Sequence, residues 1–307
     1  MSIPMVSLHS HSTYSFLDGY GHPKDLVEKT KELGMTSVAL TDHGSVSGHP
    51  LLEKYAIENN IHPVFGNEFY FTDDITAKDK EHRKKYHLTV LAKTQQGYSN
   101  LLKLTTASYA EGFYYKPSLD ESLLFANSEG LIVMSGCLSS QMQQFLLQDD
   151  YNAALELAKR FKYQLGDNFY LETQHYPQFQ QTYKALYRIA EELKIPVVAT
   201  IDNHYFKPEQ GTIREILWSI RDRRTFNPDN VQTNALLMNG DELYTALKLI
   251  DPDFNWIPSI EITQGIADSC NVVLKKGSLP VYPVPAGKTA YRCLAELCVE
   301  GLKKRGL

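Results

Sequence analysis

The chain has 307 residues, 43% of them hydrophobic, and a formal net charge of -5 at pH 7. That length and apolar content suit one large α/β domain or two small ones, while the acidic balance excludes the general phosphate-tracking surface that duplex binders carry. Apolar runs are short and broken by charge, and no basic region followed by an apolar one opens the chain, so no membrane span or signal peptide is expected and the expected location is cytoplasmic.

Residues 6–11 read as a buried strand ending in His9 and His11, followed by a turn that carries Asp18. In an extended strand, residues i and i+2 share a face, so two imidazoles can aim at one point. His22-Pro23 starts a helix with Leu26, Val27, Thr30 and Leu33 at helical spacing, and Gly34 stops it. Residues 37–41 form the next strand, running into Asp42-His43-Gly44, and a helix through Leu51, Leu52, Tyr55 and Ile57 leads to a strand at 63–71 that holds Glu68. The alternation continues with a strand at 86–92 opened by His87, a helix through Tyr98, Leu101, Leu102 and Leu104, and a strand at 130–135 just before Cys137. A helix at 153–165, a strand at 169–174, a helix at 179–193 and a strand at 195–200 follow, the last leading to Asp202 and His204.

Beyond it the expected elements are a helix at 210–220, a loop-rich stretch at 225–239 and a short helix at 262–270. Pro280, Pro283 and Pro285 mark a linker, so the chain divides into 1–279 and 280–307. The second part is a helix at 290–302 with Leu294, Leu297, Cys298 and Leu302 on one face and no obvious partner to bury them. Cys137, Cys270, Cys293 and Cys298 are too few and too irregularly spaced for a disulfide framework or a zinc finger. Basic clusters at 78–85 and 214–224 read as solvated faces, and His22, His49, His62, His82 and His175 as surface or turn histidines.

Seven strands separated by helices predict a barrel or a doubly wound sheet, with functional groups beyond the strand carboxyl ends. Most candidates obey that rule; His87 does not, because it starts its strand, which is then either reversed or irregular. The collected groups are His9, His11, His43, His87 and His204, the carboxylates Asp18, Glu68 and Asp202, and the thiol Cys137; Glu172 points at the same strand ends in a supporting place. Burying such groups unpaired costs several kcal/mol each, on the order of what a cation can offset. Imidazole, carboxylate and one thiolate favour zinc, with manganese or iron as alternatives. Nine groups exceed one or two closed zinc sites and suit three ions with bridging carboxylates.

The stretches Leu8-His9-Ser10-His11-Ser12, Leu17-Asp18-Gly19, Thr41-Asp42-His43-Gly44, Gly66-Asn67-Glu68, His87-Leu88, Ser135-Gly136-Cys137 and Asp202-Asn203-His204-Tyr205 resemble the motifs of the polymerase and histidinol phosphatase (PHP) family. The likeness is greatest to the PHP domain that opens bacterial replicative DNA polymerase III α subunits, and Glu111-Gly112-Phe113-Tyr114-Tyr115-Lys116-Pro117 supports it. The resemblance implies an α/β fold, a distorted seven-stranded (β/α) barrel of PHP type, with a trinuclear centre. One ion would be held by His9, His11, Glu68 and Asp202, a second by Glu68, His87 and Cys137, and a third by Asp18, His43 and His204.

The chemistry implied is metal-dependent phosphodiester hydrolysis, as a 3′ to 5′ proofreading exonuclease acting on a single-stranded or frayed 3′ end of DNA. The expected partners are the remainder of the polymerase α subunit, in cis or as a split chain, and other replisome subunits, with no membrane. The terminal helix resembles the first piece of a polymerase palm, which makes the chain an amino-terminal fragment or a naturally split piece. Two other readings stand beside this one: a non-catalytic metal-binding brace for the polymerase, and a small-molecule phosphatase of the histidinol-phosphatase type.

Overall fold

The computed structural model describes residues 2–275, 277 and 280–307. The chain divides into two compact units, the first ending at Val273 and the second running from Leu274 to Leu307. Leu279, where the sequence places the division, lies outside the described residues.

The first unit alternates strand and helix. In chain order come α1 (Pro23–Glu32), β1 (Ser37–Leu40), α2 (His49–Asn59), β2 (His62–Phe71), β3 (Tyr86–Ala92), α3 (Gln95–Ala110), β4 (Phe113–Tyr114) and β5 (Lys116–Leu119). Then follow α4 (Glu121–Ala126), β6 (Leu131–Met134), α5 (Gln141–Leu147), α6 (Tyr151–Leu165), β7 (Phe169–Gln174), α7 (Phe179–Leu193), β8 (Val197–Thr200), α8 (Gln210–Arg221), α9 (Gly240–Leu247) and α10 (Ile257–Ser269). In α3 and α6 apolar spacing and a side-chain cap agree. In α6, Asp150 accepts from the Ala153 amide at 3.0 Å, while Leu157 and Phe161 face inward. The hairpin β4–β5 and helices α4, α5 and α9 were not expected; each is too short to show a period.

β1 pairs in parallel with the first half of β2, and β3 pairs antiparallel with its second half and with β6. β6, β7 and β8 follow in parallel. Ser7 bridges Val38 and Ser10 bridges Asn203, both in parallel, so the opening stretch lies between β1 and the end of β8 and closes the circuit. Seven staves thus form the distorted α/β barrel expected from the sequence.

The distortion has two sources. β3 runs against both neighbours, which sets His87 opposite Tyr70 near the end of β2 and explains why a ligand type opens that strand. The opening stave makes only isolated bridges, not the regular strand expected, because side chains replace ladder bonds there. The Ser10 amide donates to Thr41 Oγ1 at 3.0 Å, and the Ser7 and Ser10 hydroxyls donate to Asn203 Oδ1 at 2.8 and 3.0 Å. The missing ladder lets the chain change face between Leu8, which packs in the apolar core, and His9.

Alternation by two puts Val64 and Glu68 on one face of β2, Leu91, Thr89 and His87 on one face of β3, and Val198 and Thr200 on one face of β8. Val64, Leu91 and Val198 join Val6, Leu8, Ala39, Ile132 and Met134 in one buried cluster. Helix α10, packed on β1 and β8, adds Ile266 and Ala267 to it, and Cys270, which caps that helix, joins them. The polar members of each alternation lie at the other end.

The second unit holds α11 (Ala290–Lys304), capped by Thr289, whose hydroxyl accepts from the Arg292 amide at 3.2 Å. Its Leu294, Leu297, Val299 and Leu302 are exposed. Among the described residues no helix is long and apolar enough to cross a membrane.

Candidate metal centre

Glu68, fully buried near the end of β2, is the hub. Its Oε1 lies 3.2 Å from His9 Nε2, 3.1 Å from His87 Nδ1 and 3.3 Å from Cys137 Sγ. Its Oε2 lies 3.2 Å from His11 Nε2 and 2.7 Å from His43 Nδ1. Asp202 Oδ1 closes the other side, 3.4 Å from His9 Nε2 and 3.1 Å from His11 Nε2. These approaches join seven of the nine sequence-predicted groups; Asp18 and His204 meet the cluster from its edge, and neither Asp18 nor Cys137 belongs to the ligand sets below. Three overlapping sets offer ligand atoms within 4.8 Å of one another: His9, His11, Glu68 and Asp202; His43, Glu68 and His87; and His11, His43 and His204.

These approaches are close yet poorly aligned for hydrogen bonding. Buried His9 Nε2, His11 Nε2, His43 Nδ1, Glu68 Oε2 and Asp202 Oδ1 all lack a hydrogen-bond partner. Orphaned polar atoms in a protein interior are costly and rare. Five of them converging on one point, with imidazole and carboxylate chemistry, fit divalent cations.

Backbone irregularities aim the ligands. Asp202 adopts a left-handed conformation, φ 58°, which turns the chain sharply after β8. Gly136 has φ 91°, and a Cβ there would come within 2.5 Å of the His87 carbonyl oxygen, so only glycine lets Cys137 approach His87, at 3.5 Å between Sγ and Nδ1.

Supporting side chains fix which ring nitrogen faces the centre. Glu172 Oε1 accepts from His9 Nδ1 at 2.7 Å and is itself held by Thr200 Oγ1 at 2.5 Å and Gln174 Nε2 at 3.1 Å. Ser15 Oγ donates to Asp42 Oδ1 at 2.7 Å, so it accepts from His11 Nδ1 at 2.8 Å. His204 Nδ1 donates to the Asp202 carbonyl at 2.9 Å. In all three imidazoles Nδ1 carries the proton and the Nε2 lone pair is left for a cation. The sequence reading assigned Glu172 its supporting place but missed Ser15 and Asp42; the signal was the density of small hydroxyl residues between His9 and Asp18.

Asp18 stands apart. Its Oδ2 lies 3.3 Å from His43 Nε2 and its Oδ1 3.7 Å from His204 Nε2. The same carboxylate takes Arg214 Nη2 at 3.1 Å, Trp218 Nε1 at 2.6 Å and Arg221 Nη1 at 3.3 Å. Arg214 is buried, so the cluster at 214–224 is not simply the solvated face expected; half of it is built into the site. His49 and His175 are likewise buried rather than at the surface, because each meets a backbone carbonyl, Gly66 at 2.9 Å and Asn234 at 2.7 Å. Burial pushes the first down to about 4 and leaves it a neutral core residue.

Electrostatics follow the geometry. Burial opposes charge on His9 and His43, yet Asp202, Glu172 and Glu68 around the first and Glu68 and Asp18 around the second hold both imidazoles well above their ordinary value. Burial, and then the charges of Glu68 and Asp202, push the Cys137 thiol up. Burial, Arg214 and His11 hold His204 well below its usual range. A cavity of about 420 Å³ opens over the centre, its lining including His87, Cys137, Asp202, His204, Arg214 and Trp218.

Residues 7–176 match the model of the PHP domain. The DNA polymerase III subunit alpha of Borreliella burgdorferi is 34% identical over 98% of this chain and 27% of its own length. That of Treponema pallidum is 35% identical over 91% of this chain and 24% of its own. The chain thus spans about a quarter of the length of these curated relatives. Among solved structures, a protein described as a metal-dependent phosphoesterase from Bifidobacterium adolescentis aligns over 80% of this chain and 96% of its own, at 15% identity and a TM-score of 0.43.

Proposed function

This chain belongs to the PHP domain family, and on that premise we propose that its centre hydrolyses phosphodiester bonds at DNA 3′ ends, as the proofreading exonuclease domain of a replicative polymerase α subunit. The observation that carries the reading is the convergence of five orphaned buried polar atoms beneath an open cavity. His9, His11, Glu68 and Asp202 would hold one cation, Glu68, His87 and Cys137 a second, and His43, His204 and Asp18 a third; zinc suits the set, with manganese or iron as alternatives. When bound, such ions activate water and neutralise charge on phosphate oxygens.

The chain's own residues supply the rest. Glu172 and the Asp42–Ser15 pair hold His9 and His11 in one tautomer, so that no reorganisation is needed when the substrate arrives. Arg214 at the wall of the cavity and Arg221 in the adjoining groove, both anchored on Asp18, would present cationic nitrogens to an entering phosphate. Residues 280–307 are read as the linker and first helix of a following polymerase palm region, whose body would cover Leu294, Leu297 and Leu302. The partners proposed are that body, in cis or as a split chain, and other replisome subunits, in the cytoplasm.

The test is metal content and turnover together. Purified chain loaded with zinc or manganese is expected to hold close to three ions and to release mononucleotides from the 3′ end of labelled single-stranded DNA; release from the 5′ end, or phosphate release from a small monoester alone, sinks the exonuclease reading. One observation favours a second reading, a metal-binding brace without turnover: Asp18 is already engaged by three donors other than histidine. A stoichiometry near two with no DNA hydrolysis would establish it.

A further inference from the structure

Beside the centre lies a second groove, of about 250 Å³, whose walls include Tyr14, Phe16, Tyr70, Tyr109, Lys116 and Arg221. We infer that it binds unpaired nucleotides of a single-stranded nucleic acid, bases stacking on Phe16 and Tyr109 and a backbone phosphate meeting Lys116 and Arg221. The inference rests on the phosphodiester reading of the centre and names where the strand leading to the reacting bond is held.

The groove is continuous with the centre, because Asp18 and His43 line both it and the cavity over the ligands. The Tyr70 ring stacks on His43, with centroids 5.7 Å apart and an angle of 21°, and Lys116 Nζ stands 5.0 Å from the centroid of the Tyr70 ring. Phe16 is 83% exposed although Ser15, its neighbour on the same turn, is buried against Asp42 and His11. Tyr109 is 52% exposed and stacks on Phe113 of β4. A large ring held out in water on a turn that is otherwise fixed is costly to keep uncovered.

Aromatic faces with cations between them are the chemistry of a single-strand binder, since every base offers a face to stack and every linkage one negative charge. The pattern continues on the neighbouring hairpin: Arg83 lies 5.1 Å over the Tyr115 ring and Lys85 5.9 Å over Tyr114. Tyr115 sits at the tip of β4–β5 with φ 61°, a conformation that tyrosine seldom adopts. An acidic chain can therefore engage a nucleic acid locally, along one track, without a basic face. A duplex hides its base faces and leaves the rings unused.

The experiment measures fluorescence anisotropy of a labelled oligothymidylate of about twelve nucleotides against the whole chain in the presence of a chelator, so that binding is read without turnover. Phe16→Ala and Tyr109→Ala are each expected to weaken binding about fivefold or more, and Phe16→Trp to retain it. Lys116→Ala is expected to weaken binding and to lower the slope of log affinity against log salt by about one. Tyr163→Ala, at an exposed ring on α6, is expected to change nothing. Alanine variants that all bind within twofold of the native chain, a native chain that does not bind, or a duplex that competes equally overturns the groove. Hydrolysis of bis(p-nitrophenyl) phosphate by the metal-loaded native chain is followed in parallel. Its absence with the variant effects intact overturns the hydrolytic reading alone; its presence without them overturns the groove alone.

Discussion

The two ends of the barrel interior are built from the same strands and answer to opposite rules. At one end Val64, Leu91, Ile132, Met134 and Val198, sealed by Ile266 of α10 and by Cys270 just after it, bury apolar surface. At the other, four residues along β2 from Val64 and two along β3 and β8 from Leu91 and Val198, the inward positions become Glu68, Thr89 and Thr200, and beyond them the histidines. There the chain accepts five buried polar atoms without partners. The difference teaches that the apolar end supplies the stability with which the polar end keeps an arrangement unfavourable by itself, one that a bound cation would relieve.

That division of labour can be broken from either side. The largest effects are expected from a matched pair of substitutions. Asp202→Asn should cut both bound metal and hydrolysis by about a hundredfold or more, while thermal melting of the metal-free chain stays close to that of the native protein; elemental analysis and calorimetry decide it. Leu91→Ala should do the reverse, lowering stability by about 2–5 kcal/mol in denaturant titrations while the folded fraction keeps its metal stoichiometry. If Leu91→Ala released metal as readily as it lowered stability, the two ends would not be separable.

Smaller effects sharpen the boundary. Glu172→Gln leaves every direct ligand in place yet disturbs the acceptor for His9 Nδ1, so metal affinity should fall about ten- to a hundredfold, read by competition with a chromophoric chelator. The gentlest probe is pH. In the metal-free fold His9 and His43 are held above their ordinary value by carboxylates and Cys137 is pushed up by burial, so protons occupy the site and must leave for a cation to enter. Affinity should therefore rise with pH through the neutral range and fall as pH drops, by about tenfold per pH unit for each proton displaced. Titration calorimetry in buffers of different ionisation enthalpy counts those protons; a count of zero would show the imidazoles already deprotonated.

The apolar end was legible in the sequence because alternation by two and helical spacing are periodic over enough residues to be read: the boundaries of α7, at Phe179 and Leu193, emerged without change. The gathering of candidate ligands was legible for a different reason, since His9, His11, Glu68, Asp202 and His204 stand at or near strand ends on one side of the sheet. What escaped depended on contacts between distant segments. That Ser15 orients His11 needs Asp42, brought from 27 residues away, to take the hydroxyl proton. That Arg214 belongs to the site needs Asp18, 196 residues away, and nothing in the helix carrying it marks that residue from its exposed neighbours. The reversal of β3 could not be decided either, because direction is a property of pairing and not of composition.

The closure of the barrel through Ser10 and Asn203 sets a timetable for biosynthesis. The first metal-site histidine leaves the ribosome almost two hundred residues before Asp202, its carboxylate neighbour across the centre. Until β8 has emerged, the opening stave has only β1 as a bridged backbone neighbour, and His9 and His11 lie in a segment that makes isolated bridges instead of a ladder. Contacts of such sequence separation form late and slowly. The centre therefore cannot close before β8 and the turn after it have emerged, and a nascent chain shorter than about His204 would carry most of the candidate ligands and no complete site.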